Sequence, residues 1–365
     1  MLLQSIISIL EKFAPPALQE SYDNSGLLVG DTQQPITGIL VALDSIEEIV
    51  DEAIAKNCNL IVAHHPIVFS GLKRLTGRNY IEKTILKAIK NNVAIYAIHT
   101  NLDNVLLGVN DKIANLLALE NTRILAPKKQ LLRKLVTYCP ATNAEAVRNA
   151  LLEAGAGIIG NYSHCSFSST GDGTFKPCDK ANPVIGSIGE LHTQAEIKIE
   201  VRYPIYNEKN ILTALHKSHV YEEIVYDIHT LENEWQEVGS GKIGYLATPL
   251  SLEDFLEYVK RKLNVKVIKY TAVKPSKMIQ KVALCGGSGS FLLPQAIAQQ
   301  ADVYISSDFK YHEFFDSNNQ LHIFDVGHYE SEQFTIDLVV EYLQDKVNTP
   351  VFATAISTNP VQYSY

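Results

Sequence analysis

The 365-residue sequence lacks the features that mark secreted, membrane-spanning or fibrous chains. It has no run of about 18 apolar residues, which predicts that no segment spans a membrane. Its first thirteen residues place apolar side chains at helical spacing with polar residues between them, unlike the apolar core of a signal peptide. The cysteines are few and scattered, with no C-x-x-C pair, which indicates reduced thiols in a cytoplasmic protein. They are Cys58, Cys139, Cys165, Cys178 and Cys285.

Neither sign of charge dominates the composition. There are 32 Lys and Arg against 40 Asp and Glu, a net charge of −8 with histidine neutral, and 46% of residues are hydrophobic. These values exclude intrinsic disorder and a general polyanion binder, and they argue against strong non-specific binding of DNA. The length favours two or three domains, with enough chain to bury a core without disulfides.

Strand-like and helix-like segments alternate in the first third of the chain. The apolar segments at 36–44, 59–63 and 93–98 predict strands, and 45–56 predicts a helix with Ser45 as its N-cap. Strands and helices that alternate with short links favour a parallel α/β sheet. Ligands bind such sheets at the carboxyl ends of the strands.

The pattern changes after residue 127. Strands and helices now follow the order β-α-β-β-α-β, which is the ferredoxin-like arrangement, and the alternating segment 195–204 predicts an antiparallel strand. After residue 240 the α/β pattern returns. We therefore expect one discontinuous α/β core, formed by residues 1–127 and 241–365, with an inserted α+β domain at 128–240.

Three short motifs of histidines and carboxylates directly follow predicted strands. They are His64-His65 after 59–63, His99 with Asp103 after 93–98, and His328 with Glu332 after 322–326. Each motif alone has an ordinary explanation. Adjacent histidines can bond a carbonyl and solvent, Asp103 can cap a helix, and His328 and Glu332 can form an exposed pair at a helix start.

The three motifs carry more weight together, because all are expected at the same edge of one parallel sheet. A mixture of imidazoles and carboxylates suits divalent Zn, Mn, Fe, Co or Ni. Five or six ligands exceed the needs of one tetrahedral ion, and a carboxylate such as Glu332 can bridge two ions. The residues therefore favour a two-metal site, which lowers the pKa of a bound water and makes a hydroxide available at neutral pH.

Other segments give weaker signals. The loop Cys285-Gly286-Gly287-Ser288-Gly289-Ser290 links a predicted strand to a helix, so its backbone N–H groups could cradle a phosphate. A tight turn that needs positive φ explains the same glycines. Asp308 and His312 could be acid, base or supporting groups, and Asp308 could equally be a helix N-cap. We predict no metal at His164, Cys165 and Cys178, whose spacing is irregular.

The motifs together resemble the GTP cyclohydrolase I type 2 homologue family, also called the NIF-three-like proteins. The matching stretches cover both α/β segments and occur in the family's order. They are SYDNSGLLVGD (21–31), VALDS (41–45), NLIVAHHPIVFSGLKRL (59–75), AIHTNLDNV (97–105), CGGSGS (285–290), GHYESE (327–332) and STNP (357–360).

The resemblance implies a NIF-three-like α/β core with a dinuclear metal site and a PII/CutA-like inserted domain. It implies that His65 and Asp103 bind one metal, His64 and His328 the other, and that Glu332 bridges them. It also implies that His99 is a further ligand or a proton carrier. Members of this kind form toroidal hexamers, so the resemblance implies a homohexamer here.

Two functions follow as expectations. The first is a cytoplasmic, dinuclear metal-dependent hydrolase that acts on a nucleotide-like small molecule through a metal-bound hydroxide. His99 would be its acid or base, Gly286, Gly287 and Gly289 would contact a phosphate, and GTP ring opening is the named possibility. The alternative is a non-enzymatic, hexameric regulatory protein that senses a metal or ligand. DNA binding through the ring would require salt-dependent retention of DNA.

Overall fold

The computed structural model describes residues 1–273 and 277–364. Contacts divide the chain into two compact units. The first unit comprises residues 1–127 and the described part of 236–365, and the second comprises 128–235. The chain therefore leaves the first unit once, forms the second, and returns. In the described part of the chain, no helix is both long and apolar enough to cross a membrane.

The first segment of the first unit alternates strands and helices. Helix α1 shows why: its apolar side chains recur every three or four residues, so Leu3, Ile6, Ile7 and Leu10 are buried on one face. The elements are α1 Leu3–Phe13, β1 Gly26–Val29, β2 Ile39–Ala42, α2 Glu47–Ala55, β3 Leu60–Ala63, α3 Tyr80–Lys90, β4 Ala94–Ala97, α4 Thr100–Asp103, α5 Val109–Leu116 and β5 Glu120–Lys128.

The second unit has a four-stranded antiparallel sheet with two helices. Its apolar residues from β6, β8 and both helices form a separate core that includes Leu135, Val147, Ile199 and Leu215. The strand order in the sheet is β7-β8-β6-β9, which with the chain order gives the β-α-β-β-α-β connectivity. The elements are β6 Leu132–Pro140, α6 Ala144–Glu153, β7 Ser166–Phe175, β8 His192–Pro204, α7 Glu208–Ser218 and β9 Tyr226–Leu231.

The returning segment completes the first unit. Strand β10 begins at Trp235, so regular structure resumes five residues before position 240. The elements are β10 Trp235–Leu250, α8 Leu252–Leu263, β11 Lys269–Tyr270, β12 Ile279–Ser288, α9 Leu293–Ala298, β13 Val303–Ser307, β14 His322–Asp325, α10 His328–Glu332, α11 Thr335–Gln344 and β15 Val351–Ala353.

The first unit contains two mixed sheets. One has the order β1-β4-β3-β2-β15, in which β15, β2, β3 and β4 are parallel and β1 is antiparallel. The other has the order β11-β14-β13-β12-β10-β5, in which β12, β13 and β14 are parallel. Strand β15 belongs to the returning segment but pairs with β2. The five-stranded sheet therefore contains strands from both segments of the first unit.

Two local expectations are corrected by this fold. The strands that precede the three histidine motifs do not share one sheet: β3 and β4 belong to the five-stranded sheet, and β14 belongs to the six-stranded one. Alternation of strands and helices predicts parallel strands but does not say which strands pair. Ser45 does not cap α2, because Ile46 occupies the N-cap position and the Ser45 hydroxyl has no hydrogen-bond partner.

Candidate functional site

Two histidines stand directly after the buried strand β3. The N–H groups of His64 and His65 donate to Ala42 O and Leu43 O at 3.1 and 2.9 Å, so the pairing with the neighbouring chain continues past the strand end. Likewise Ile98 N donates to Ala63 O at 2.9 Å beyond β4, just before His99. The backbone that carries the three imidazoles is therefore fixed by the sheet.

His328 and Glu332 come from the other sheet, at the start and end of the short helix α10. The turn from β14 into α10 passes through Gly327, which has φ +92°. A Cβ at this position would lie 2.2 Å from a carboxylate oxygen of Glu330, so only glycine fits. The i, i+4 spacing then places His328 Nε2 3.1 Å from Glu332 Oε2.

The ligand atoms from the two sheets converge on Glu332. Its Oε2 lies 3.0 Å from His65 Nε2, and its Oε1 lies 3.7 Å from His64 Nε2. His64 Nε2 is also 3.8 Å from Asp103 Oδ1, and His65 Nε2 is 3.2 Å from His328 Nε2. The two carboxylate oxygens of Glu332 therefore face two different groups of nitrogen and oxygen atoms.

Each group has three side chains whose potential ligand atoms all lie within 4.8 Å of one another. One group is His64, Asp103 and Glu332, and the other is His65, His328 and Glu332. This grouping differs from the division implied by the family resemblance, which pairs His65 with Asp103 and His64 with His328. A third group joins His64, His65 and His99.

Two atoms of this cluster are buried without any hydrogen-bond partner. They are His64 Nε2 and Asp103 Oδ1. A buried polar atom left unpaired costs about 1–3 kcal/mol. A proton shared between the two would not close the gap of 3.8 Å between them, whereas a cation can bind both. The donor set therefore fits a divalent metal ion.

The remaining ring nitrogen of each histidine is held by an oxygen on its outer side. His64 Nδ1 lies 2.8 Å from Ile98 O, a carbonyl that can only accept, so Nδ1 carries the proton. His65 Nδ1 lies 2.8 Å from Asp44 Oδ1. In His64, Nε2 is thereby left as the lone-pair nitrogen that points into the cluster, while His65 Nε2 points there within 3.0 Å of Glu332 Oε2. Partners of this kind orient metal-binding histidines in general.

His328 and His99 follow the same pattern. His328 Nδ1 is 2.6 Å from Asp308 Oδ2, and His99 Nδ1 is 2.8 Å from Asp23 Oδ1. Asp23 also accepts hydrogen bonds from the N–H and hydroxyl of Thr100. Asp308 therefore contacts an imidazole of the cluster and is not a helix cap, whereas His312 is exposed beside Tyr311 and does not line the cavity.

The electrostatics of the cluster favour positive charge. Burial lowers the pKa of His65, but its hydrogen bonds to Asp44 and Glu332 outweigh this and raise it to about 9. Burial likewise opposes the charge on His328, and the hydrogen bonds to Asp308 and Glu332 raise its pKa to about 11. Burial and the nearby charge of Glu332 raise the pKa of Asp103 to about 7. The site therefore attracts protons, as it would attract a metal cation.

The glycine loop at the end of β12 packs against this cluster. Gly286 N donates to Asn110 Oδ1, and Gly287 N donates to Ser331 Oγ, both at 2.9 Å. Gly287 has φ +60°, and a Cβ there would lie 2.2 Å from Glu332 Oε1. The glycines thus let the strand approach Glu332 closely. Because two N–H groups already have partners, these bonds give no support to the phosphate contact predicted for Gly286, Gly287 and Gly289.

Three residues that hold the histidines of the cluster in place are absent from the predictions made from the sequence. Asp44 comes two residues after β2 ends, so the expectation that functional residues lie at the carboxyl ends of strands, which identified His64, also applies to it. Asp23 lies in the loop before β1 and gives no such signal. Thr358 comes from the C-terminal tail, where its hydroxyl donates to Asp44 Oδ2 at 2.5 Å. No metal cluster in the described parts of the chain includes His164, Cys165 or Cys178.

We expect Asp44→Asn to lower the affinity for metal by about 10- to 100-fold, because loss of such an outer partner leaves the imidazole misoriented. The measurement is competition with a chromophoric chelator. Thr358→Val is the matched comparison: it removes the bond to Asp44 but keeps the carboxylate, so a smaller loss is expected. Unchanged affinity in Asp44→Asn would show that His65 is positioned by other contacts.

A cavity of about 1340 Å³ opens beside the cluster. Its wall includes His65, His99 and His328 together with the side chains of Asp103 and Glu332. This volume exceeds that of a typical small-molecule site. The cluster is therefore accessible to a substrate, and the arrangement of nitrogen and oxygen atoms suits chemistry assisted by a metal.

Comparison with known proteins gives matches over the whole chain. The Duf34/NIF3 (NGG1p interacting factor 3) family model matches residues 1–360. A Bacillus subtilis (strain 168) protein named GTP cyclohydrolase 1 type 2 homolog is 40% identical over 366 residues, 99% of this chain and 98% of that protein. The protein of the same name from Halalkalibacterium halodurans is 39% identical, with the same coverage.

Solved structures give the same result. A Bacillus cereus protein related to NIF3 superposes with a TM-score of 0.88 at 40% identity, covering 100% of this chain and 99% of that chain. A Staphylococcus aureus protein superposes with a TM-score of 0.80 at 30% identity, again over 100% and 99%. The discontinuous arrangement described above is therefore similar to experimentally determined structures along its full length.

Proposed function

Because the chain belongs to the Duf34/NIF3 family, we propose that it is a dinuclear metal-dependent hydrolase acting on a nucleotide-like small molecule. The family expected from the sequence motifs is confirmed. The observation that carries the proposal is the pair of buried, unpartnered atoms His64 Nε2 and Asp103 Oδ1 beside Glu332. A divalent ion would satisfy both atoms, and Glu332 presents a second oxygen to a second group.

The distances support a division of ligands between two ions. His64 and Asp103 would hold one ion with Glu332 Oε1, and His65 and His328 would hold the other with Glu332 Oε2. Imidazole and carboxylate donors suit Zn, Mn, Fe, Co or Ni. Ions bound there would supply Lewis acidity and would make water easier to deprotonate.

His99 is the proposed proton carrier. Its Nδ1 is held by Asp23, whose carboxylate is fully buried and whose pKa is kept well below the ordinary value. Burial opposes that charge, but the hydrogen bonds from His99 and Thr100 outweigh it. Asp23 therefore stays ionised and fixes the ring, so Nε2 of His99 is the atom that takes or gives a proton.

The name of the relatives, GTP cyclohydrolase 1 type 2 homolog, makes ring opening of GTP the reaction to test first. The alternative is a protein that senses a metal or ligand. Turnover that depends on the metal supports the hydrolase. Metal retention without turnover of any nucleotide or nucleoside in a broad panel supports the sensor.

The proposal extends to the assembly, the identity of the inserted domain and the location of the protein. The β-α-β-β-α-β connectivity of the second unit supports a PII/CutA-like insertion. The family resemblance supports a toroidal homohexamer, for which light scattering would give six times the chain mass of 40.5 kDa. All five cysteines are free thiols, which supports a reducing compartment such as the cytoplasm.

Elemental analysis of the gel-filtered protein tests the proposal directly. We expect about two ions per chain, as a two-metal site requires. Removing them with EDTA should lower the melting temperature, since a ligand at 100 times its Kd contributes about 2.7 kcal/mol of stability. A protein that binds no metal, even after incubation with each of the five candidate ions, would contradict the dinuclear assignment.

A further inference from the structure

The cavity beside the cluster is strongly acidic. Nine carboxylate side chains line it, against one lysine, no arginine and three histidines, His65, His99 and His328, among the described residues, so the carboxylates outnumber the basic groups even when every imidazole is charged. That lysine, Lys269, already pairs with the buried carboxylate of Asp325, from Nζ to Oδ2 at 2.7 Å. The described lining therefore provides no uncompensated lysine or arginine for the phosphates of a nucleotide.

Bound metal would not reverse this balance. Two divalent ions bring four positive charges, which together with Lys269 leave the nine carboxylates in excess. The N–H groups of Gly286 and Gly287 in the glycine loop do not compensate, because they are bonded to Asn110 and Ser331. A polyphosphate chain in this cavity would therefore face net repulsion.

The mouth of the cavity is instead aromatic. Tyr22, Phe69, Tyr80 and Phe291 line it and are all more than half exposed. The ring of Phe69 also stands edge-on to His99, with centroids 5.8 Å apart. Exposed aromatic faces stack on flat rings, and their negative faces attract cations. Aromatic rings around an acidic cavity suit a flat ligand that is neutral or positively charged.

We propose that this site takes a flat, nitrogen-rich heterocycle, uncharged or cationic, as a free base or nucleoside without a phosphate chain. The inference rests on the proposed function and narrows its substrate class, so that GTP itself, with its triphosphate, is expected to bind more weakly than guanosine. The proposal predicts different affinities for two ligands that share one base. The nucleoside binds, and its phosphorylated form binds more weakly because the carboxylates repel the phosphate. The aromatic mouth would bind the ring, and the metal cluster would act on it.

The test is calorimetric titration with three probes built on the guanine ring. We expect 7-methylguanosine, whose ring can carry a positive charge, to bind at least as tightly as guanosine, and guanosine about 5-fold or more tighter than guanosine monophosphate. The same order is expected in EDTA-treated protein, because the carboxylates remain. Tighter binding of the monophosphate, or binding of none of the three, would overturn the inference.

Variants separate the electrostatic cause from other effects. Glu48→Gln removes an exposed carboxylate that lines the cavity, and we expect it to raise monophosphate affinity about 2-fold and leave guanosine unchanged. Asp51→Asn is the control, since it lies on the same helix but outside the cavity lining. Salt at 0.5 M should shrink the guanosine preference. A preference insensitive to both salt and Glu48→Gln would contradict the charge argument.

Failure here is distinguishable from failure of the proposed function. Elemental analysis of the same samples reports the metal site, and the probe order reports the charge of the cavity. Two ions per chain with a preference for the monophosphate would leave the hydrolase in place and overturn only the substrate class. Absence of metal together with the expected order of probe affinities would overturn the dinuclear hydrolase and leave the acidic, aromatic binding site in place.

Discussion

Glu332→Gln is expected to abolish stable metal binding in at least one of the two groups. Glu332 is the side chain that both groups share, and it is buried among His64, His65 and His328. Glutamine keeps the shape but removes the negative charge and one acceptor oxygen. The loss of affinity should exceed the roughly 10- to 100-fold typical of losing an outer partner. Metal per chain after gel filtration against a chelator measures it.

Glu330→Gln is the matched control for this experiment. Glu330 lies on the same short helix, is also buried, and bonds Asn359 Nδ2 at 2.9 Å, but belongs to neither metal group. It should retain its metal. Circular dichroism of both variants verifies that α10 still folds. A Glu332→Gln protein with two ions per chain and unchanged affinity would disprove the role of Glu332 as the shared ligand.

Asp111→Ala should produce the largest loss of stability. Lys242 on β10 is only 3% exposed, and its Nζ lies 2.9 Å from Asp111 Oδ1 on α5. Removing the carboxylate leaves a buried ammonium unpaired, which costs about 3–5 kcal/mol. It also removes the acceptor for the N–H of Leu107. A large shift of the urea midpoint, followed by circular dichroism, is the expected result.

Two comparisons establish whether burial is the cause. Asp51→Ala breaks the exposed pair with Lys87 and should cost less than about 1 kcal/mol. The double variant Lys242→Met with Asp111→Leu removes both charges and should recover most of the lost stability. Equal losses in Asp111→Ala and Asp51→Ala would mean that Lys242 reaches water when its partner is gone.

The same ion pair bears on the site through α5. Next to Asp111, the buried Asn110 donates from Nδ2 to Asp103 O at 3.0 Å and accepts from Gly286 N at 2.9 Å. One side chain therefore ties the backbone of a metal-ligand candidate to the glycine loop that packs against Glu332. We expect conditions that loosen α5 to weaken metal binding as well as stability.

The placement of functional residues at the carboxyl ends of strands explains which parts of the site could be predicted from sequence. His64, His65 and His99 follow buried strands, and a strand end fixes a backbone position before any tertiary contact is considered. His328 and Glu332 were found by helical spacing. Asp44 also lies just after a strand, but the sequence alone does not single it out, because one acid after a strand resembles an ordinary helix start.

Other features depend on contacts that no local pattern encodes. Asp23 reaches His99 across 76 positions of sequence, and Thr358 reaches Asp44 across 314. The assignment of β14 to a second sheet likewise depends on strand pairing. For Gly287, the sequence indicates a tight turn, but only the fold shows that the missing side chain makes room for Glu332.

The five residues of the cluster come from two widely separated stretches of the chain. His64, His65 and Asp103 are synthesised before the second unit, and His328 and Glu332 after it. Two imidazoles and one carboxylate of the cluster therefore leave the ribosome before Glu332, the shared carboxylate, has been synthesised. Chains cut short before His328 would hold three of the five residues and lack the shared carboxylate. A bound pair of ions would thus mark a chain that has been translated past Glu332 and folded across both sheets.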